Sequence, residues 1–338
     1  MHAPILAALE EHMLDVGDGH RLYWRRHGKP DAPTVVLLHG GPGGGIFPRC
    51  AEFFDPSFWN VVMYDQRGCG RSTPTASTSN NTVAHLVADL ERLRLELGVE
   101  RLVLHGVSWG TRLALAYGAA YPHRCAGFLL TSVFLGRRAD IDWFLWDVRR
   151  LFPENHDRLL DAVAEAAGKR PANLVQLLAL AGAVFASGGA DQRQRLANEW
   201  DDYEWRMMSV APMPPLPTDP VELAATRAKS LTQAILEHHY MARVLPAEDD
   251  VLEHVGRMGH LPCEIVHGRY DVICPAEQAR LLADAWPQAA LEIAPESGHR
   301  TFDPAMADLI HRASHRLRGR MDTADAADAD LSLLRSRR

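Results

Sequence analysis

The 338-residue sequence lacks most of the marks of a metal site, a disulfide framework, a nucleic-acid partner or a membrane span. No C-x-x-C or H-E-x-x-H spacing occurs, so its 17 histidines give no support to zinc, and no cofactor is expected. The 5 cysteines are odd in number and scattered, which fits reduced thiols better than paired ones. Lys and Arg total 36 against 43 Asp and Glu, with the signs intermixed and a formal net charge of -7. Phosphate binding needs clustered cations, so nucleic acid is excluded as an expected partner. The richest apolar run, Leu174 to Ala186, contains Gln176 and falls short of the roughly 18 to 20 residues that cross a bilayer. The opening MHAPILAALEEHMLDVGDG lacks the basic start and long apolar stretch of a secretory signal. A cytoplasmic protein without membrane association is expected.

What is present is alternation. Short apolar or β-branched runs ending in glycine or polar turns are separated by segments of helical period, the pattern of an α/β fold. Strands are expected at Thr34–Leu38, Trp59–Tyr64, Leu102–His105, Gly127–Leu130, Glu264–His267 and Leu291–Ala294. Between the second and third, Leu86, Leu90, Leu93 and Leu97 recur as one apolar helix face requires. The alternation stops after Leu130 and resumes near Cys263, so residues 134–260 are expected to form a mostly helical insertion on a core made of 1–133 and 261–320. The low-complexity stretch 321–338 is expected to be a mobile tail.

The most informative core segment is RLVLHGVSWGTRLALAYG, in which a strand runs into Gly106-Val107-Ser108-Trp109-Gly110 and then into a helix. A G-x-S-x-G elbow reverses the chain so sharply that its flanks must be small, and it presents the serine hydroxyl at a helix N-terminus. The pattern alone also occurs in ordinary glycine-bounded turns. A serine nucleophile needs a base, and the base an orienting carboxylate. Asp271 follows the expected strand CEIVHG and His299 follows LEIAP, each just past a carboxyl end, where open α/β sheets place their sites. Ser, Asp, His is the chain order of an α/β hydrolase. His85, His123, His156, His254 and His260 lack such placement and read as structural or solvated. Oxyanion donors are expected from the backbone of Gly41, in the glycine-rich LLHGGPGGG, and of Trp109. A dinucleotide loop is disfavoured because Ile46 stands where G-x-G-x-x-G requires glycine.

Together HGGPGG at 39–44, DQRGCGRS at 65–72, GVSWG at 106–110, LFPE at 151–154, HGRYDVICP at 267–275 and SGH at 297–299 resemble the prolyl aminopeptidases, or proline iminopeptidases. The likeness covers nearly the whole chain apart from the tail. It implies an α/β-hydrolase core with a helical cap inserted after the sixth core strand, and metal-free removal of an N-terminal proline from small peptides with a free N-terminus. It also implies a glutamate after W-x-x-aromatic and another before an N-H-Y-F pattern, here Glu204 in WDDYE and Glu237 in EHHYM, as receivers of the substrate's amino end. A desolvated cation needs such carboxylates. On this reading Glu199, Asp201 and Asp202 are solvated charges, and Phe134 packs on the pyrrolidine ring. Asp65, Arg67 and Arg71 read as charges that tie down a loop, and Cys274 equally as a thiol-sensitive position or a buried small residue. Two departures touch the ring pocket: Thr131-Ser132-Val133 stands where an arginine and glycine are usual, and Met241 where phenylalanine is. The alternatives are a capped esterase or amidase of broad range, and a catalytically silent ligand-binding protein on the same fold. Dehalogenase and epoxide-hydrolase chemistry is disfavoured, since their nucleophile position carries aspartate where this chain has Ser108.

Overall fold

The computed structural model describes residues 8–212, 214–244 and 251–336. Eight strands form one sheet: β1 (Glu10–Gly17), β2 (His20–Gly28), β3 (Thr34–Leu38), β4 (Asn60–Tyr64), β5 (Leu102–Val107), β6 (Cys125–Thr131), β7 (Cys263–Gly268) and β8 (Ala289–Ala294). Their order is β1-β2-β4-β3-β5-β6-β7-β8, antiparallel at β1-β2-β4 and parallel from there on. The six expected strands all form, within a few residues of their expected ends. The edge hairpin β1-β2 was not among them. Its signal is Asp18-Gly19, where φ of 54° and 76° reverses the chain between the strands.

Strand alternation divides the core in two. Val36, Leu38, Val62, Tyr64 and Leu104 face one apolar cluster, while Val35, Leu37, Val61, Met63 and Val103 face another. The first face is covered by α1 (Val83–Glu96), α2 (Trp109–Ala120) and α8 (Ala276–Ala285), the second by α9 (Pro304–Ser336). In α1 the expected leucines Leu86, Leu90 and Leu93 are buried, Leu97 packs at the edge, and Thr82 caps the first turn through the His85 N–H. Helices on both faces leave the carboxyl ends of the parallel strands as the free edge.

Over that edge sits the insertion that leaves the core after β6: α3 (Arg138–Leu145), α4 (Pro153–Ala167), α5 (Leu174–Ser187), α6 (Ala190–Trp205) and α7 (Pro220–His239). The apolar run at Leu174 is α5, capped by the Asn173 side chain, and among the described residues no helix is long and apolar enough to cross a membrane. A short 3-10 segment, Val251–Arg257, lies inside the expected cap limits but packs on α2 and α8 of the core. The stretch from residue 321, expected to be a mobile tail, continues α9 in backbone as far as Ser336, with 337 and 338 outside the described residues. Leu317 and Met321 fasten that helix to the second core face.

Candidate active site

Ser108 sits where β5 hands over to α2, with φ 55° and ψ -122°. Such a backbone costs a non-glycine residue on the order of 1 to 3 kcal/mol, which the surrounding packing must overdetermine. The reason for the flanking glycine is steric: a Cβ on Gly110 would collide with the Leu38 carbonyl of neighbouring β3. Backbone strain thus turns the hydroxyl outward at the strand end.

Asp271 and His299 come to it from the turns after β7 and β8. His299 Nε2 lies 3.0 Å from Ser108 Oγ, and Nδ1 lies 2.8 Å from Asp271 Oδ2. The other carboxylate oxygen of Asp271 accepts the Ile273 and Cys274 N–H groups at 3.1 and 2.8 Å. Burial alone would raise the Asp271 carboxyl, but the His299 charge and hydrogen bond outweigh it and hold the group below its ordinary value. Burial likewise opposes protonation of His299, yet Asp271, with Glu204 adding to it, leaves the imidazole above its ordinary value. A base of raised affinity beside a hydroxyl is the arrangement that acyl transfer requires.

The backbone of His299 is clamped from two sides. Its N–H donates to the Met208 carbonyl, just beyond α6, at 2.8 Å, and its carbonyl accepts from Ser132 Oγ at 2.9 Å. Ser132, in the segment where the resemblance implies an arginine and a glycine, has φ 50° and so takes the left-handed conformation. Its hydroxyl bond to the base loop is a compensating contact.

The glycine-rich loop after β3 is fixed by buried polar groups. His39 Nε2 accepts the Gln66 N–H at 3.1 Å, Gln66 Nε2 donates to the His39 carbonyl at 3.0 Å, and the Trp109 indole donates to Gln66 Oε1 at 2.9 Å. Gly41, φ 110°, lies beside Ser108. Gly43 approaches α7 so closely that a Cβ there would stand 2.7 Å from Gln233 Cα. Next to this loop the Asp65 carboxylate receives the Ile46 and Arg71 N–H groups at 2.6 and 2.8 Å. Arg67 forms a buried bidentate pair with Asp89 at 2.7 and 2.8 Å, and exposed Arg71 reaches Glu11 at 3.0 Å. The charges of DQRGCGRS therefore secure the loop rather than face Ser108.

Two acids close the site from above. Glu204, near the end of α6, and Glu237, near the end of α7, are 8% and 1% exposed, and Gln233 Nε2 donates to both at 2.9 Å. The Trp200 indole donates to Glu237 Oε2 at 2.8 Å. Burial pushes the Glu204 carboxyl well above the usual range, with the neighbouring Glu237 charge adding to it. Burial also pushes Glu237 up, to about 7, against the hydrogen bonds it accepts. Two acids this desolvated and this close favour a state that holds a proton between them. The remaining carboxylates of EWDDYEW, expected to be solvated charges, are half-buried and each has a partner. Glu199 bonds Arg206 at 2.5 Å, Asp202 bonds Arg227 at 3.1 Å and Asp201 accepts the Ser230 hydroxyl at 2.6 Å. Facing α7 supplies Arg227 and Ser230, which chain spacing did not reveal, while Arg206 stands at the end of α6 itself.

Ser108, Gly41, Phe134, Phe144, Glu204, Met241, Ile273 and Cys274 enclose an inner pocket with free space of about 10 Å³. It opens at Ser108 and Glu204 into a cleft of about 580 Å³ between core and cap, where His299, Gln233, Trp205 and the segment Pro215–Pro217 also stand. All of the sequence-predicted site residues except Glu237 and Asp271 line these two spaces or form the elbow; those two support their neighbours from behind. Sequence reasoning missed Gln233 and Met208, and it did not reveal the contacts of Trp200 and Ser132, all of which arise at long range. Buried Cys274 borders the inner pocket, where burial pushes its thiol well up. Among the described residues no cluster of His, Cys, Asp and Glu is arranged to hold a metal.

The family model for the alpha/beta hydrolase fold matches residues 33–305. The chain is 36% identical over 310 residues to the proline iminopeptidase of Xylella fastidiosa, covering 91% of this chain and 96% of that one. It is 37% identical over 314 residues to that of Xanthomonas citri, covering 92% and 97%. Among solved structures, proline iminopeptidase from Mycobacterium smegmatis superposes with a TM-score of 0.65 at 19% identity, over 93% of this chain and 100% of the other, which speaks to the fold. With a serine elbow, an aspartate and a histidine in bonding distance beneath two buried cap glutamates, and with these relatives, the chain belongs to the proline iminopeptidase family of α/β hydrolases.

Proposed function

We propose that the protein is a serine exopeptidase that releases N-terminal proline from small peptides with a free N-terminus. The single observation that carries this reading is the buried pair Glu204 and Glu237 at the roof of the chamber whose floor is Ser108. An esterase has no use for two desolvated acids, whereas a charged imino group entering an apolar pocket does.

The peptide's first nitrogen displaces the proton shared by the glutamates, and its ring enters between Phe134, Phe144 and Ile273. Because the free space is about 10 Å³, the unbranched Met241 side chain yields to admit the ring. His299, held by Asp271, takes the Ser108 proton as Oγ attacks the first carbonyl carbon. The N–H groups of Gly41 and Trp109 receive the oxyanion. The C–N bond breaks as His299 returns that proton to the leaving amine. Water, deprotonated by His299, then cleaves the prolyl ester, and the proton passes back to Ser108.

Purified protein offered Pro-, Ala- and N-acetyl-Pro-arylamide tests the reading. The free prolyl compound is expected to be hydrolysed fastest and the acetylated one hardly at all. Equal rates on the free and acetylated compounds would reject the exopeptidase assignment. Ser108→Ala is expected to lower turnover by about 10⁴-fold or more.

A further inference from the structure

The buried glutamates account for one end of a peptide. A short substrate also carries a carboxylate at its other end, and α7 offers a cation at a matching distance. Lys229, Gln233 and Glu237 recur at intervals of four, so they form one ridge of the helix. Thr226, Lys229 and Gln233 of this helix face the catalytic cleft. Along the axis, Glu237 and Lys229 are separated by about 12 Å at the rise of an α-helix.

The charges around Lys229 are already disposed. Asp202 is engaged by Arg227 and Asp201 by Ser230. Exposed Lys229 has, among the described residues, no carboxylate within 4.0 Å. It also borders an adjoining cleft of about 420 Å³ whose wall carries Arg25 and Arg71. Both of those arginines share Glu11, at 4.0 and 3.0 Å. Outward from Gln233 along α7, Lys229 thus brings a cation to the cleft beside Asp201 and Asp202, whose charges are already engaged.

Resting on the exopeptidase reading, we propose that Lys229 is a specificity-determining residue that receives the free C-terminal carboxylate of short peptides. An extended chain advances about 3.3 to 3.6 Å per residue, so peptides of about three to four residues span the ridge from the glutamates to Lys229. A compact ammonium on a flexible stem tolerates a residue more or less. As the contact is exposed to water, its effect is modest, about two- to fivefold in kcat/KM, and it weakens as salt rises.

The test compares Pro-Gly-Gly and Pro-Gly-Gly-Gly as free acids and as C-terminal amides, on the full chain and on Lys229→Met, Lys229→Arg and Lys229→Glu. The Pro-arylamide rate of each variant measures its folded, competent fraction. The full chain is expected to favour the acid over the amide by about two- to fivefold at low salt. Lys229→Arg keeps the preference, Lys229→Met abolishes it and Lys229→Glu inverts it. An acid-to-amide ratio near one in the full chain, or an unchanged ratio in Lys229→Met, overturns the proposal while leaving the exopeptidase reading intact. Failure of the full chain to hydrolyse Pro-arylamide removes that reading, and this inference with it, before any ratio is measured.

Discussion

Replacing Glu204 by glutamine isolates the chemistry of the chamber roof. The amide has nearly the shape of the carboxyl, and Gln233 on one side and Glu237 on the other remain to bond with it. What is lost is one charge facing the substrate cation in a desolvated site. Removing one partner of a buried, hydrogen-bonded charge pair costs about 2 to 5 kcal/mol. At about 1.36 kcal/mol per decade, this corresponds to roughly 30- to 5,000-fold in kcat/KM for Pro-arylamide. A small uncharged ester such as p-nitrophenyl acetate makes no such contact and needs only Ser108, Asp271 and His299. Its rate is expected to change by less than about threefold, with His299 losing only the minor contribution of the Glu204 charge. Both rates measured on one preparation, with the thermal unfolding midpoint as a check on folding, decide the matter. Equal losses on the two substrates would show that Glu204 supports the structure instead of binding the cation.

The other predictions concern charge and orientation. Asp271→Asn keeps the shape of the turn after β7 but gives the Ile273 and Cys274 amides a poorer acceptor and His299 the wrong partner, so turnover on both substrates is expected to fall by about 10⁴-fold; stopped assays at high enzyme concentration check this. Burial pushes Glu237 up to about 7, and its ionised form adds negative charge behind Glu204, so on the exopeptidase reading the ratio of Pro-arylamide to ester hydrolysis is expected to fall as pH drops through about 7; a flat ratio from pH 5.5 to 8.5 contradicts it. The ester alone reports His299, whose raised affinity for protons places its loss of activity above the ordinary imidazole value as pH falls. Arg67→Ala leaves Asp89 buried without its bidentate partner, and urea denaturation is expected to show a loss of about 3 to 5 kcal/mol.

The nucleophile, its base and the orienting acid were legible because each follows its own strand directly, so local order sufficed to place Ser108, Asp271 and His299 at one sheet edge. The first hairpin escaped notice because β1 alternates only weakly between exposed and buried, and its best signal is two residues, Asp18-Gly19. The cap acids were legible through family likeness alone. Nothing in the spacing of EWDDYEW says that α6 meets α7, and it is this meeting that buries Glu204, gives Asp201 its serine and gives Asp202 its arginine. Gln233 was passed over for the same reason, although it lies one helical turn before Glu237 and bonds to both acids.

The peptide unit of His299 hangs between the Met208 carbonyl and the Ser132 hydroxyl, one belonging to the lid and the other to the body of the molecule. A lid that swings outward carries one tether away, and the imidazole loses half of its backbone anchorage. The backbone of the base is thus shared between lid and body, and with Asp271 holding the ring itself, the position of the imidazole depends on both halves of the molecule at once.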